Sequence, residues 1–374
     1  MDITKLVLCF SIAFGVTLIS TPFVKMIAQK IGAIDVPDAR RVHKHPIPRM
    51  GGLAIFYGFL VGILCFAGVD TQLKGILIGS LIIVALGIVD DVKQLGAKIK
   101  FIIQILVACI VVMHGVIIEF LSVPTFLAPD GYVELGYFSI PITILWIVGV
   151  TNAVNLIDGL DGLAVGVSSI ATFSLFFIAI LSGEMQVALL TAALAGGCMG
   201  FLPYNFNPAK IFMGDTGSTF LGYMLSVICI QGLFKGYVVI SFIVPFLILG
   251  LPLFDTAFAI VRRIWNKKPI MAPDRGHLHH KLMDMGFSQK QTVAILYIVT
   301  SILALSAVVV LEVGAYTAVV FIITVVAFGA VGYKTYSEAH REKVLAEETG
   351  SDKSESAEEE ESKEDNSSEN VDNE

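Results

Sequence analysis

Long apolar runs separated by short polar segments dominate this chain. Eleven of these runs are long enough to cross about 30 Å of hydrocarbon as helices of roughly 20 residues. The predicted helices lie near residues 3–24, 50–68, 73–89, 100–119, 138–154, 164–181, 186–203, 217–234, 239–260, 291–311 and 315–333. The pattern therefore predicts an all-α polytopic membrane protein with about eleven transmembrane helices.

The polar connections between these runs differ in charge. Before the C-terminal segment, the loops that follow even-numbered spans and the N-terminus carry only Lys5, Lys74 and Lys235, and the other lysines and arginines follow odd-numbered spans. Since loops rich in Lys and Arg stay in the cytoplasm, this asymmetry predicts an N-terminus outside the cell and a cytoplasmic C-terminus. The longer outside loop between residues 119 and 137 contains Asp130-Gly131, which favours a short surface hairpin.

Composition excludes a soluble globular protein and separates two regions. The chain is 55% hydrophobic and 15% charged, with a mean hydropathy of +0.80. From residue 337 onward it turns to Asp, Glu, Ser and Asn, and such a segment cannot bury enough apolar surface to fold. We therefore predict a membrane-embedded domain over residues 1–336 and a disordered acidic tail over 337–374. The tail accounts for the net charge of −7, and the membrane domain alone is mildly basic, which suits anionic substrates and lipid headgroups.

Acidic residues stand at the ends of several apolar runs, where burying a charge near lipid is costly and indicates a function. Asp90 and Asp91 follow one such run. Because adjacent carboxylates repel, both ionise together only beside a cation such as Mg²⁺ or a lysine. The alternative is a solvated helix end beside Lys93, Lys98 and Lys100.

The polar segment after the fifth span is the most informative stretch. Asn155, Asp158 and Asp161 recur every three residues, a spacing that would place them on one face of a helix. Gly159 and Gly162 leave room for the backbone to approach a ligand closely. A helix cap explains one of the three polar residues but not all of them.

The run Gly-Asp-Thr-Gly-Ser stands where the eighth span begins, at residues 214–218. Free N–H groups at a helix N-terminus bind phosphate, and Asp215 could hold the accompanying Mg²⁺. Phe212 is placed to stack on a base. The alternative is that Asp215 caps the helix and Phe212 belongs to the core.

The longest inside loop combines Arg263 with His277, His279 and His280. Arginine binds phosphate with two parallel hydrogen bonds, so this loop favours phosphate recognition. A basic loop that merely sets topology would explain the arginine but not the histidines, and no ligand set with zinc spacing completes the cluster.

Two further features carry open interpretations. The first inside loop, residues 38–52, is cationic and either meets a phosphate or only sets topology; its Gly51-Gly52 pair permits close helix packing. Asp255 is the one charge deep within a predicted span, and it is either a hydrogen-bonded strut or a cavity-lining residue.

Five of these segments together resemble the polyprenyl-phosphate N-acetylhexosamine-1-phosphate transferase family. They are PRMGG (48–52), DD (90–91), NAVNLIDGLDGLA (152–164), FNPAKIFMGDTGS (206–218) and PDRGHLHH (273–280). The resemblance covers residues 1–335, and the acidic tail lies outside it. In the last motif Leu278 interrupts the histidines after a Pro-Asp-Arg lead-in. That arrangement is similar to the N-acetylglucosamine branch of the family rather than to the muramoyl-pentapeptide branch.

The resemblance implies a reaction and its partners. N-acetylglucosamine-1-phosphate would pass from UDP-GlcNAc to undecaprenyl phosphate, releasing UMP and forming undecaprenyl-diphospho-GlcNAc. This would be the first lipid-linked step of a cell-wall polysaccharide, teichoic acid being the expected one. The expected partners are the two substrates and the lipid bilayer, with no nucleic acid; a homodimer is left open. The expected place is the bacterial plasma membrane, with the active site facing the cytoplasm.

The resemblance also implies residue roles. The implied catalytic residues are Asp90, Asp91, Asp158 and Asp161; the implied metal ligand is Asp215, for Mg²⁺ or alternatively Mn²⁺; and the implied substrate-binding residues are Asn155, Asn205, Phe212, Arg263, His277, His279 and His280. The lipid phosphate would attack the β-phosphorus directly, or Asp90 or Asp91 would first form an aspartyl-phosphate.

Two other functions stay open at this point. A phospho-MurNAc-pentapeptide transferase or another N-acetylhexosamine-1-phosphate transferase would share the motifs. A secondary transporter also has intramembrane acids and glycine-broken helices. A transporter needs polar groups on both routes through the membrane, however, whereas the motifs here are predicted on one face.

Overall fold

The computed structural model describes residues 2–37, 45–122, 132–232, 243–269 and 276–313, together with Ile323. Of the residues that the structure describes, 78% are helical. The helices are α1 (Ile3–Ile31), α2 (Gly52–Phe66), α3 (Thr71–Lys93), α4 (Ala97–Met113), α5 (Ser139–Leu156), α6 (Leu163–Leu181), α7 (Met185–Asn205), α8 (Gly214–Gly232), α9 (Ile243–Ile248), α10 (Gly250–Trp265), α11 (Leu278–Asp284) and α12 (Gln289–Val313). These elements lie in a first compact unit, residues 1–318; of the second, 319–374, the structure describes Ile323.

The predicted spans correspond closely to helices, with two qualifications. The ninth predicted span, 239–260, is broken into α9 and α10 at Leu249. Pro252 in the first turn of α10 lacks the N–H that a continuous helix would need, which accounts for the break. The eleventh predicted span and the acidic tail lie outside the described residues, apart from Ile323.

Six of the described helical segments are long and apolar enough to cross a membrane. They are Ile3–Ile31, Thr71–Lys93, Gly136–Leu156, Leu163–Leu181, Met185–Asn205 and Gln289–Leu311. A multi-pass membrane protein is therefore confirmed. The count of eleven spans and the sidedness of the loops stay predictions.

Helix α8 forms the centre of the bundle. Every residue from Thr216 to Gln231 is buried, because α2, α3, α5, α6 and α7 surround it. Glycines at the contacts let the backbones approach closely: a Cβ at Gly52 would collide with Gly217, and one at Gly87 would collide with Thr216. The close packing expected of the Gly51-Gly52 pair is thus confirmed, and it fixes the N-terminus of α8 against α2 and α3.

Two small antiparallel pairs complete the described fold. Strands β3 (Phe120–Ser122) and β4 (Tyr132–Glu134) form the predicted surface hairpin, with Leu121 opposite Val133; its Asp130-Gly131 turn lies outside the described residues. Strands β1 (Ile34–Asp35) and β2 (Ile47–Pro48) were not predicted. They lie between α1 and α2 and place Arg49 and Met50 at the start of α2.

Candidate active site

A polar cavity of about 320 Å³ opens where α3 and α5 end and α8 begins. Its lining residues are Asp35, Arg49, Asp91, Asp158, Gly159, Leu160, Asp161, Asn205, Phe212, Gly214, Asp215, His280 and Gln289. Each of the five motifs contributes at least one of them, although the motifs span more than half of the chain. Distant segments of the sequence therefore meet at one site.

Asp91 caps helix α8 from a different helix. The backbone N–H of Asp215 donates to Asp91 Oδ1 (3.0 Å), and both the N–H (3.0 Å) and the hydroxyl (2.6 Å) of Thr216 donate to Oδ2. The carboxylate so satisfies the first donors of the helix and meets the positive end of its dipole. The expected phosphate cradle at this N-terminus is wrong for these two N–H groups, because Asp91 already occupies them.

Lys100 joins two acidic residues that are 125 positions apart in the chain numbering, Asp90 and Asp215. Its Nζ lies 2.8 Å from Asp90 Oδ2 and 2.8 Å from Asp215 Oδ2. The other Asp90 oxygen accepts from the backbone N–H of Leu95 (2.6 Å) at the end of α3. The ammonium group thus offsets part of the negative charge of Asp90 and Asp215. Asp91, the neighbour of Asp90, is held instead by the donors at the start of α8.

Asn155 completes the environment of Asp215. Its Nδ2 donates to Asp215 Oδ1 (2.8 Å) and to Ser218 Oγ (2.7 Å). Both oxygens of Asp215 therefore have protein partners. Asn155 itself lies behind the cavity lining, and its described contacts are to Asp215 and Ser218 rather than to the open space.

The segment from 157 to 162 is a loop, so the expected helix face for Asn155, Asp158 and Asp161 is wrong. Helix α5 ends at Leu156 and α6 begins at Leu163. Gly162 has a φ of 78°, a left-handed conformation that interrupts a right-handed helix and that glycine adopts freely. Its N–H donates to Asn205 Oδ1 (3.1 Å), and its carbonyl accepts from the Tyr297 hydroxyl (2.5 Å). Helices α7 and α12 thereby hold the loop in place.

Asp161 and Asn205 tie this loop to the segment before α8. Asp161 Oδ2 accepts from Asn207 Nδ2 (2.9 Å) and from the N–H of Ala209 (3.0 Å). Asn205 is 3% exposed, and its Nδ2 donates to the carbonyl of Ile211 (3.1 Å). Both side chains also line the cavity. Their contacts with a nucleotide stay predictions.

Asp158 is the carboxylate that the fold leaves available. Within the described part of the chain, no hydrogen bond or ion pair engages its side chain, and it lines the cavity. Burial raises the pKa of Asp158 to about 8, and the negative charges of Asp215, Asp91 and Asp161 contribute. Its carboxylate is therefore ready to bind a proton or a cation.

The histidine segment packs against the same loop. His280 lines the cavity, whereas His279 is buried behind it with Nε2 against Gly159, where any Cβ would collide with the ring. Burial lowers the pKa of His279 to about 4, and His280 and His277 add to this effect. His279 is therefore neutral at physiological pH.

Asp255 acts as a strut rather than as part of the cavity wall. Its Oδ2 lies 2.8 Å from His277 Nδ1, and its Oδ1 accepts from the backbone N–H of Leu278 (2.9 Å). This outcome settles the interpretation that the sequence left open, because Asp255 is absent from the cavity lining.

Of the other expected site residues, one lines the cavity and four do not. Phe212 lines the cavity, and its backbone pairs with Pro48 (2.8 Å) and Gly51 (2.9 Å), which joins the PRMGG and GDTGS segments. Asp90, Arg263, His277 and His279 are not among the residues that line the cavity. Arg263 is 8% exposed on α10.

Comparison with known proteins fits this arrangement. Residues 73–233 match the model of glycosyl transferase family 4. The chain is 48% identical over 307 residues to a probable undecaprenyl-phosphate N-acetylglucosaminyl 1-phosphate transferase of Bacillus subtilis, covering 82% of this chain and 85% of that protein. The chain belongs to glycosyl transferase family 4.

More distant relatives of this family 4 member carry related names. The decaprenyl-phosphate N-acetylglucosaminephosphotransferase of Mycobacterium tuberculosis is 35% identical over 322 residues, covering 78% of this chain and 79% of that protein. The phospho-N-acetylmuramoyl-pentapeptide-transferase of Listeria monocytogenes is 35% identical over 249 residues, covering 62% and 76%. The family resemblance inferred from the five motifs is confirmed.

Sequence reasoning missed several site residues of this family 4 protein. Lys100 was noted only as one of three lysines near the Asp90-Asp91 pair, and its ion pair with Asp215 was not predicted. Arg49 lies inside PRMGG, and its Nε donates to the carbonyl of Asp91 (2.9 Å) while Nη1 lies 3.6 Å from Asp35 Oδ1. Asp35 and Gln289 carried no pattern that would mark them.

The oxygen-rich lining suits a hard divalent cation such as Mg²⁺. Among the described residues, no group of three His, Cys, Asp or Glu side chains is arranged as a ready-made cage. Mg²⁺ commonly takes one or two carboxylates and completes its shell with substrate phosphates and water, and Asp158 and Asp215 fit that mode of binding.

Proposed function

We propose that this family 4 glycosyl transferase moves N-acetylglucosamine-1-phosphate from UDP-GlcNAc to undecaprenyl phosphate, with UMP as the second product. The observation that carries the proposal is the single cavity in which all five motifs meet around Asp158. The names of the Bacillus subtilis and Mycobacterium tuberculosis relatives supply the sugar and the polyprenyl acceptor. The product would be undecaprenyl-diphospho-GlcNAc, and its use in teichoic acid synthesis is part of the proposal.

The two substrates are both anions, so the site must offset their repulsion and align them. Arg49 is the guanidinium on the cavity wall, and Lys100 balances Asp90 and Asp215 just behind it. Asp91 fixes the start of α8, which places Asp215 at the wall. The charged groups are therefore already oriented toward the reacting phosphates before the reaction begins, which is electrostatic preorganisation.

The direct route accounts for the contacts better than a covalent one. An oxygen of the lipid phosphate forms a bond to the β-phosphorus, while the bond from that phosphorus to the bridging oxygen breaks and UMP leaves with the electron pair. Asp91 is engaged by three donors of α8, and Asp90 lies behind the lining with Lys100 and Leu95. Neither is presented as a nucleophile, which supports direct attack.

Magnesium completes the proposal, with manganese as the alternative. Asp215 and Asp158 would hold the ion together with the nucleotide diphosphate. When bound, a divalent cation neutralises the diphosphate and polarises its oxygens. For Asp158, whose side chain has no hydrogen bond or ion pair among the described residues, the cation would offset the negative charges of Asp215, Asp91 and Asp161.

The proposed topology keeps eleven spans, an outside N-terminus and a cytoplasmic active site. The supply of UDP-sugars in the cytoplasm agrees with this orientation, as does the basic character of the inside loops. Single cysteines on a cysteine-free background test it in intact cells. Position 45, in the first inside loop, should resist a membrane-impermeant maleimide, whereas position 133, in the outside hairpin, should react.

The reaction itself is tested with purified, detergent-solubilised protein. UDP-GlcNAc, UDP-GalNAc and UDP-MurNAc-pentapeptide are each offered with undecaprenyl phosphate and Mg²⁺, and both UMP and the lipid product are measured. We expect turnover with UDP-GlcNAc and none after chelation of the metal. Preference for the pentapeptide nucleotide would overturn the sugar assignment, and no UMP release from any donor would overturn the transferase assignment.

A further inference from the structure

Asp255 binds the histidine segment with both of its carboxylate oxygens. Oδ2 faces His277 Nδ1 at 2.8 Å, and Oδ1 accepts from the N–H of Leu278 at 2.9 Å, at the start of α11. The Asp255 and His277 side chains are 8% and 7% exposed. A buried carboxylate is costly unless its hydrogen bonds are made, so this pair constrains the segment strongly.

The contact determines which nitrogen of His277 carries hydrogen. An ionised carboxylate only accepts hydrogen bonds, so Nδ1 of His277 must be the donor. In the neutral ring Nε2 is then an acceptor. A carboxylate that holds an imidazole in this way fixes both the tautomer and the orientation of the ring.

Ring contacts connect His277 to the cavity through His279 and His280. The His277 and His279 rings are stacked, with centroids 5.9 Å apart and planes within 8°. The His279 and His280 centroids are 4.3 Å apart, and His280 lines the cavity. His279 Nε2 packs against Gly159, the residue next to Asp158.

We propose that Asp255 is a positioning residue for the transfer reaction: by fixing His277 it places His279 and His280 against the loop that carries Asp158. This role rests on the proposed function, because its effect is measured in the turnover of that reaction. Asp255 does not line the cavity, so it acts through the histidines and touches no substrate.

Two substitutions separate the positioning role from a simple helix cap. In Asp255→Asn, the amide oxygen still accepts from Leu278 N–H, but the amide nitrogen donates to His277 Nδ1 and forces hydrogen onto Nε2. Asp255→Ala removes both contacts. We expect both variants to lose about 10- to 100-fold in kcat, as partners that orient functional histidines do. Wild-type turnover in Asp255→Asn would overturn the proposal, whatever the turnover of Asp255→Ala. If Asp255→Ala alone were impaired, Asp255 would act only as a helix cap.

A double variant tests whether Asp255 acts through His277. If it does, Asp255→Asn combined with His277→Gln is no slower than the slower single variant, whereas independent roles multiply the two losses and overturn the proposal. Asp70→Asn is the control, because the Asp70 carboxylate also accepts from a backbone N–H at the start of a helix (Leu73 in α3, 2.7 Å) and does not line the cavity. Its turnover should equal that of the wild type.

Failure of the proposed function is recognised separately. If the wild-type protein releases no UMP from any UDP-sugar, the function is wrong and Asp255 is not assessed by turnover. The variants are then compared by their thermal unfolding in detergent: Asp255→Ala should unfold at a lower temperature than Asp255→Asn, which keeps the cap. Equal unfolding temperatures would show that the hydrogen bond from Leu278 N–H to Asp255 does not stabilise the protein.

Discussion

At the scale of single residues, the acidic groups of the site do different work despite their chemical identity. Asp91 caps a helix, Asp161 ties two loops, and Asp90 and Asp215 share Lys100. Asp158 alone among the expected catalytic carboxylates has no such engagement in the described part of the chain. Its free oxygens make it the residue on which we expect the chemistry to depend most.

Asp158→Asn should abolish transfer and yet stabilise the metal-free protein. The pKa of this carboxyl rises from 3.8 to about 8 on folding, so the folded protein binds the proton more tightly than the unfolded chain. The wild type therefore loses stability as pH rises from about 4 to about 8, a loss that the amide avoids.

Thermal unfolding in chelator-containing buffer measures this difference. At pH 8 the variant should unfold about 2 °C or more above the wild type, and at pH 4 the two should coincide. Addition of Mg²⁺ should narrow the gap at pH 8. Coincident unfolding at pH 8 without metal would contradict an unpartnered Asp158.

Lys100→Gln should impair both turnover and folding, because it leaves Asp90 and Asp215 without their shared cation. The loss of two charged hydrogen bonds should lower the free energy of unfolding by about 2–3 kcal/mol. Lys98→Gln, two residues away and exposed, is the control and should behave like the wild type. Equal stability of the two variants in denaturant titrations would show that the ion pairs contribute little.

At the scale of elements, the site depends on how closely α8 packs against its neighbours. The N-terminus of α8 meets α2 at Gly52 and α3 at Gly87, and both contacts exclude a side chain. Backbones at this separation carry Asp91 and Asp215 within hydrogen-bonding distance. The glycines are therefore a condition for the geometry of the cavity and not only for the stability of the bundle.

Gly52→Ala should lower both stability and activity, because its Cβ would collide with the backbone of Gly217. Overpacking of this kind costs about 1–3 kcal/mol. Gly15→Ala is a matched control within α1, since nothing lies within 4 Å of its added Cβ. The two variants are compared by thermal unfolding and by UMP release; a Gly52→Ala protein with wild-type values in both would contradict the close contact.

At the scale of the whole molecule, the cavity joins segments from Asp35 to Gln289. A ligand that bridges them should stabilise the entire fold rather than one helix. Ligands that bind only the folded state add about 2.7 kcal/mol at a concentration of 100 times Kd. This gives a test of nucleotide and metal binding that does not require the lipid acceptor.

UDP with Mg²⁺ should raise the unfolding temperature, and UDP or Mg²⁺ alone should do so much less. In Asp215→Asn the rise in unfolding temperature with UDP and Mg²⁺ together should disappear, because the carboxylate proposed to hold the metal ion against the diphosphate is gone. Differential scanning fluorimetry in detergent checks both expectations. A full shift with UDP in chelator would remove the metal from nucleotide binding.

The sequence predicted the parts of this protein that depend on local pattern. Apolar length alone located α2, α3, α5 to α8 and α12 to within about four residues at each end, because the burial of backbone polar groups forces a chain in lipid to form helices. The ends of α1 and α4 were predicted less well: α1 continues to Ile31 instead of residue 24, and α4 ends at Met113 instead of residue 119. Residue types at five motifs identified the family, since their chemistry is legible without coordinates. The break at Leu249 was missed, although Pro252 marked it.

Only the tertiary structure showed which partner each polar residue binds and therefore which role it has. Whether a carboxylate oxygen is free depends on hydrogen-bond donors from distant parts of the chain. Asp91 accepts from Thr216 and Asp90 accepts from Lys100, whereas no described residue donates a hydrogen bond to the Asp158 carboxylate. Hydropathy indicates approximately where a helix lies, because the free energy of burying apolar side chains is summed over neighbouring residues in the sequence. Hydrogen bonds across helices are decided by three-dimensional packing, which is why Asp255 and Lys100 acquired their partners only in the folded molecule.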